Sequence, residues 1–230
     1  MPPKKVWLSW SSGKDSAFAL YVLSQSAEFE VTGLFSTITH DYGRVSMHGV
    51  REILLDQQAR QLGLPIYKAY IPAPCSNDVY KERMGELIKA AHQEDVEVMA
   101  FGDLFLEDIR AYRINQLNGT GIAALFPVWG RETSAFARAI IDTGLGAVVT
   151  CVDEKKLAPE FSGRLFDEAF INDLPSDVDP CGENGEFHSF VYQHPLFKVN
   201  IAHTIGQRTS REGFTFTDIL PYERPSSTSE

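Results

Sequence analysis

The chain of 230 residues is long enough for one large domain or two small ones with a sizeable core. With 43% hydrophobic and 23% charged residues it has the composition of an ordinary globular protein, and no apolar run reaches the ~18 residues of a membrane helix, which excludes fibrous and membrane-spanning classes. A formal net charge of -10 argues against a general nucleic-acid surface, because phosphate-backbone affinity comes from clustered Lys and Arg. Cys75, Cys151 and Cys181 are widely spaced and form no CxxC, so neither a disulfide framework nor a cysteine zinc site is expected. The basic start Met1–Lys5 runs into Ser9, Ser11, Lys14 and Asp15 before it could serve as a signal sequence, and a reducing cytoplasm is the expected compartment.

Val6 to Trp10 is β-favouring and passes through Ser11-Ser12-Gly13-Lys14-Asp15-Ser16 into a helical pattern at Ala17, Leu20, Tyr21 and Leu23. A second strand over 30–38 leads into a polar loop with His40 and His48. An amphipathic helix over 51–62 follows, with Gly63 placed as its left-handed cap. Residues 65–71 predict a third strand, 77–92 a helix capped by Asn77, 96–102 a fourth strand, 106–117 a helix and 124–129 a fifth strand. Such alternation means right-handed βαβ units, hence a doubly wound, mainly parallel five-stranded sheet with ligands at the carboxyl ends of its strands. After Trp129 the pattern changes to a helix (132–143), a strand (147–152), a helix or loop (161–169) and short β-like runs near 187–192 and 214–220. The expected organisation is an α/β domain over 1–130, a smaller α+β domain over 131–222 and a disordered Pro/Ser/Thr-rich tail over 223–230.

Ser11 to Ser16 lies where the first strand hands over to a helix, a place where free backbone N–H groups and the helix dipole favour a phosphate. It is not a Walker A loop, which needs GxxxxGK[ST]. The sextet resembles the SGGxDS signature of the PP-loop ATP pyrophosphatases, which cleave ATP between its α and β phosphates. Ser12 stands where that family usually has glycine, so a positive φ there would cost about 1 kcal/mol.

Further on, Asp179-Pro180-Cys181-Gly182-Glu183-Asn184-Gly185-Glu186-Phe187-His188-Ser189-Phe190 crowds carboxylates, an amide and an imidazole into one glycine-flanked turn. On its own this is either a binding loop or a solvated acidic hairpin. Together with Phe101-Gly102-Asp103 and Phe126-Pro127-Val128-Trp129, the two motifs resemble the diphthine–ammonia ligase family over nearly the whole chain. In the diphthine-amidating branch the late motif reads GEGGEYET, and this chain differs at Asn184, His188 and Ser189.

The resemblance implies an ATP-dependent amide ligase that adenylates a carboxylate, releases pyrophosphate and passes the acyl group to ammonia. It implies ATP held by Ser11, Ser12, Gly13, Lys14, Asp15, Ser16 and Gly102, with Lys14 offsetting phosphate charge and Asp15 orienting the loop or holding Mg2+ through water. Asp103 is the first choice for a metal-binding or nucleophile-orienting carboxylate, with a helix N-cap as the competing reading. Glu183, Asn184, Glu186 and His188 would hold the acceptor, with Glu186 also counted as catalytic. His40 and His48 stand beside the expected nucleotide site, although loop histidines need no function. Cys181 has no basic neighbour in sequence and reads as an inert thiol.

The expected partners are ATP, ammonia and either a modified elongation factor or a small carboxylate, with homodimerisation left open and no metal ligands assigned. Competing classes are a PP-loop protein of the same group acting on another small molecule or an RNA, and a nucleotide-binding module without chemistry.

Overall fold

The computed structural model describes residues 2–222; the tail expected to be disordered lies outside the described residues. The first strand β1 (Lys4–Ser9) is the axis of the larger sheet. It pairs in parallel with β2 (Phe29–Thr39) on one side and β5 (Val98–Ala100) on the other. Beyond β2 lies β4 (Ile66–Ile71), and beyond β5 lies β6 (Ala123–Leu125), both parallel to their neighbours. The parallel order is therefore β4-β2-β1-β5-β6, with a two-residue strand β3 (Arg44–Val45) antiparallel to the end of β2. Chain order reverses direction between β1 and β5, and a crevice opens at the carboxyl ends of strands flanking such a switch point. This is the α/β fold class read from the alternating pattern, with β3 added.

Side chains alternate across a strand, and β1 shows the consequence of burial on both faces. Val6 and Leu8 enter one apolar cluster, with residues of α1 (Lys14–Ser24) and α2 (Glu52–Leu62). Trp7 enters the other, with Met84, Leu87 and Ala91 of α3 (Asn77–Gln93) and Leu117 of α4 (Glu107–Leu117). Helix α2 ends at Gly63 in the left-handed region, φ 70, as its position in the sequence suggests. Helix α3 is capped one residue earlier than expected: Ser76 Oγ, not Asn77, accepts from Val79 N at 3.3 Å.

After α5 (Thr133–Asp142) the chain builds a second, antiparallel sheet in the order β8-β7-β10-β9. Its strands are β7 (Gly146–Asp153), β8 (Phe187–Gln193), β9 (His203–Arg211) and β10 (Phe214–Pro221). A short helix α6 (Glu168–Asp173) precedes the acidic loop, later than the helix or loop expected over 161–169. Strand β8 lies over the start of α1, where Val191 N donates to Ser12 O at 2.9 Å. One apolar cluster runs from Leu8 and Phe18 through Phe136 to Phe170, Phe187 and Phe190, so the two sheets share a core. Asp218 of β10 adds a polar tie: Arg51 Nη2 donates to it at 2.6 Å and Arg44 Nη1 at 2.9 Å. Burial works to raise the Asp218 pKa, but these guanidinium bonds prevail and bring it down to about 2.

Candidate functional site

The loop after β1 begins at the mouth of the switch-point crevice, and Ser12 occupies its sharpest bend at φ 69. That is the strained position the sequence raised, and the surroundings hold it. Ser12 O accepts from Val191 N and also from Gln58 Nε2 at 3.1 Å, while Gln58 Oε1 accepts from the Trp10 indole at 2.8 Å. The first intrahelical bond of α1 runs from Ala17 N to Gly13 O at 3.1 Å, so the N–H groups of Lys14, Asp15 and Ser16 precede the helical ladder. Ser189 Oγ takes the Lys14 N–H at 3.1 Å. Gly13 has no side chain to cap the helix, and Asp15 and Ser16, the next residues of the first turn, line the crevice.

Two glycines allow the walls to close on this point. A Cβ on Gly13 would lie 2.8 Å from His48 Cε1, and one on Gly102 would lie 3.0 Å from Ser16 N. The result is a crevice of about 220 Å³ lined by Ser11, Lys14, Asp15, Ser16, His48, Gly102, Asp103, Arg113, Glu183, His188 and Ser189, among others. Ser11 and Ser16 face it, with their hydroxyls 3.2 Å apart. Ser12 and Gly13 do not line it: they shape the bend from behind, and Ser12 Oγ is buried without a partner.

The late motif does fold against the start of α1. Glu183 Oε1 accepts from Leu104 N at 2.7 Å, which draws the acidic loop over the end of β5. The Lys14 ammonium donates to the Cys181 carbonyl, lies 3.0 Å from Asp15 Oδ2 and sits 5.1 Å from the Phe187 ring centroid. Burial works to lower the Lys14 pKa, but Asp15 and the surrounding acidic groups hold it above the ordinary lysine value. The ammonium is therefore already paired within the protein, at a residue that also lines the crevice.

Glu186 turns inward. It is 2% exposed, and its Oε1 accepts from Asp179 N at 3.2 Å and from Asn184 Nδ2 at 3.1 Å. It organises the turn from within, and neither it nor Asn184 lines the crevice.

Asp103 is not a helix cap, since α4 is capped at Leu106. Its Oδ2 and Asp15 Oδ1 are buried without hydrogen-bond partners. Burial raises the pKa of both, opposed by Arg113 for Asp103 and by Lys14 for Asp15. Among the described residues no group of three or more His, Cys, Asp or Glu could hold a metal by itself. Two free carboxylate oxygens suit an Mg2+ ion, which commonly uses one or two carboxylates and completes its shell with substrate phosphates and water.

The imidazoles of His48 and His188 pack against each other, tilted by 39°, with centroids 4.6 Å apart. Burial holds His48 down to about 4 and His188 well below the usual range, so both are neutral at pH 7. His188 also lines an adjoining cavity of about 670 Å³ between the β2–β3 loop and the second sheet. His40 lies apart, in a different cavity beside β4 and α3. Burial pushes the Cys181 thiol up, as expected of an inert sulfur.

Glu183 gives the site a measurable pH signature. Burial raises its pKa to about 7, and the neighbouring Asp15 and Asp103 work in the same direction. The folded state thus binds more protons than the unfolded state between the ordinary glutamate value and about 7, and stability falls as pH rises through that window. Replacing Glu183 by Gln, which keeps an acceptor for Leu104 N, should flatten this decline and raise stability above pH 7. At about 1.4 kcal/mol per unit, reduced by solvent screening, the gain is on the order of 2 kcal/mol. Melting temperatures between pH 5 and 8 test it, and an unchanged slope in the variant would refute the assignment.

The fold and crevice define an α/β protein of the switch-point class, with an anion-ready helix start closed over by the acidic loop that leads into the antiparallel sheet. The chain belongs to the diphthamide synthase family: the family's N-terminal domain matches residues 4–119 and its C-terminal domain residues 132–222. It is similar to the diphthine–ammonia ligase of Homo sapiens, with 27% identity over 164 residues, 64% of this chain and 61% of that protein. The Bos taurus protein of the same name is 26% identical with the same coverage, and that of Danio rerio is 26% identical over 83% of both chains. The match thus spans less than two thirds of the human and bovine proteins.

Proposed function

We propose that this chain is an ATP-dependent carbon–nitrogen ligase of the diphthine–ammonia ligase type, acting at the crevice between residues 1–130 and the smaller unit over 131–222. The observation that carries the reading is the convergence of the helix start at Asp15 and Ser16 and the unpartnered side-chain oxygens of Asp15 and Asp103 on one 220 Å³ space. That space suits a pyrophosphate group and is too small for a whole nucleotide. The 670 Å³ cavity, which His188 also lines, offers room for the rest of the reactants.

In this reading an acceptor carboxylate oxygen attacks the α-phosphorus, the bond to the β-phosphate oxygen breaks and pyrophosphate leaves. Ammonia then attacks the acyl carbon, AMP leaves with the electron pair of the C–O bond, and the amide nitrogen loses a proton. Mg2+ would supply charge neutralisation, held by Asp15 and Asp103. Ser11, Ser16 and the N–H groups of Asp15 and Ser16 orient the β and γ phosphates. The neutral His188, which lines both cavities, can accept a hydrogen bond from incoming ammonia. The departures from the diphthine branch at His188 and Ser189 fall on the crevice wall, which favours a small carboxylate over a modified elongation factor as acceptor.

Incubation with α-labelled ATP and Mg2+ should yield AMP and pyrophosphate. Asp103→Asn should lower AMP formation at least tenfold with the fold intact, a loss of about 1.4 kcal/mol in transition-state stabilisation. Release of ADP and phosphate by the wild-type chain would refute the reading.

A further inference from the structure

The crevice carries three carboxyl groups beside its helix start. Asp15, Asp103 and Glu183 line it, while the ammonium of Lys14 is engaged by Asp15 and the Cys181 carbonyl. Its two imidazoles are neutral. The remaining cation of the lining, among the described residues, is Arg113, midway along α4.

The contacts of Arg113 are incomplete. Its Nη1 donates to the Tyr80 hydroxyl at 3.2 Å, and its guanidinium lies 5.1 Å from the Phe101 ring centroid. Its Nε comes only to 3.9 Å from Asp103 Oδ2, and both of these buried atoms lack a hydrogen-bond partner. A guanidinium has five N–H donors in a planar fork matched to the oxygens of a phosphate, so one made bond leaves most of its capacity unspent. The Phe101 ring, on the crevice wall, and Tyr80, outside it, fix its plane.

We propose that Arg113 is a phosphate-binding residue that grips the pyrophosphate part of the nucleotide from the wall opposite α1, and stabilises it as it leaves. This rests on the reading of the crevice as a pyrophosphate cradle. Asp103, on the same wall, would share the ligand through Mg2+ and not compete with it. Arg110, one turn earlier, provides a contrast: it stacks on Trp129 at 4.6 Å and on Phe126 at 5.6 Å and does not line the crevice.

Calorimetric titration of the full chain with inorganic pyrophosphate and Mg2+ tests the assignment. Arg113→Ala should weaken binding at least tenfold, Arg113→Lys should recover part of it as a point charge without the fork, and Arg110→Ala should stay within twofold of wild type. Free guanidinium at sub-denaturing concentration should restore AMP formation by Arg113→Ala, which a merely structural role would not allow. Should Arg113→Ala not fold, Arg113→Lys carries the comparison. Wild-type pyrophosphate affinity in the Arg113 variants, or an equal loss in Arg110→Ala, would overturn the role of Arg113 while leaving the cradle standing. Absence of pyrophosphate binding by the wild-type chain would overturn both.

Discussion

Lys14→Met should destabilise the chain by about 3–5 kcal/mol, the cost of removing one partner from a buried ion pair. Lys14 is 1% exposed, and the replacement keeps apolar bulk beside Phe166 and Phe187. It leaves the Asp15 carboxylate without its cation and the Cys181 carbonyl without its donor. For a chain of this size that corresponds to a fall in melting temperature of roughly 10 °C. Adding Asp15→Asn removes the stranded charge and should return a substantial part of the loss, giving a coupling energy of 1 kcal/mol or more in a double-mutant cycle. Strict additivity of the two substitutions would show that the pair is not coupled and that the lysine faces solvent or ligand.

This expectation inverts the one that sequence invites. A lysine next to a small-residue loop at a helix start reads as a phosphate ligand, because the local pattern says nothing of what arrives from 167 residues away. The loop itself was legible, since a β-favouring run turning into a helical period at Ala17 fixes strand, bend and helix by local rules. The density of polar groups in the acidic loop was legible too, but their directions were not. Glu183 and Glu186 are three residues apart, yet one carboxylate meets Leu104 N and the other folds back on Asp179 N. Strand β9 left no sequence signal: it is a mostly exposed edge strand of polar residues that, among the described residues, pairs with β10 alone, with no buried face to impose alternation. Arg113 was hidden for the opposite reason, lying on a charged helix whose composition reads as a solvated face.

Gln58 is the least legible of the residues that shape the site. It stands among Leu54, Leu55 and Leu62 on the inner stripe of α2, and its partners are 48, 46 and 133 residues distant. It is fully buried, and each of its polar atoms is used: Oε1 accepts from the Trp10 indole, and Nε2 donates to Ser12 O and, at 2.6 Å, to Val191 O. A single amide thus fixes the residue before the phosphate loop, the strained carbonyl within it and the strand that closes over it.

Gln58→Leu keeps the volume but strands the Trp10 N–H and the Val191 carbonyl, while Ser12 O retains Val191 N. At 1–3 kcal/mol for each orphaned group, the loss should be about 3 kcal/mol or more. Ser12, freed of one of its two restraints, can relax from φ 69, so pyrophosphate affinity should fall as well. The neighbouring half-buried Gln57 makes no such clamp, and Gln57→Leu should change stability by no more than about 0.5 kcal/mol. Urea denaturation with the m-value held constant separates the two effects from a change in the unfolded state. Equal stability of the Gln57 and Gln58 variants would mean that the loop holds its bend without the amide, and that its strain is borne by Val191 alone.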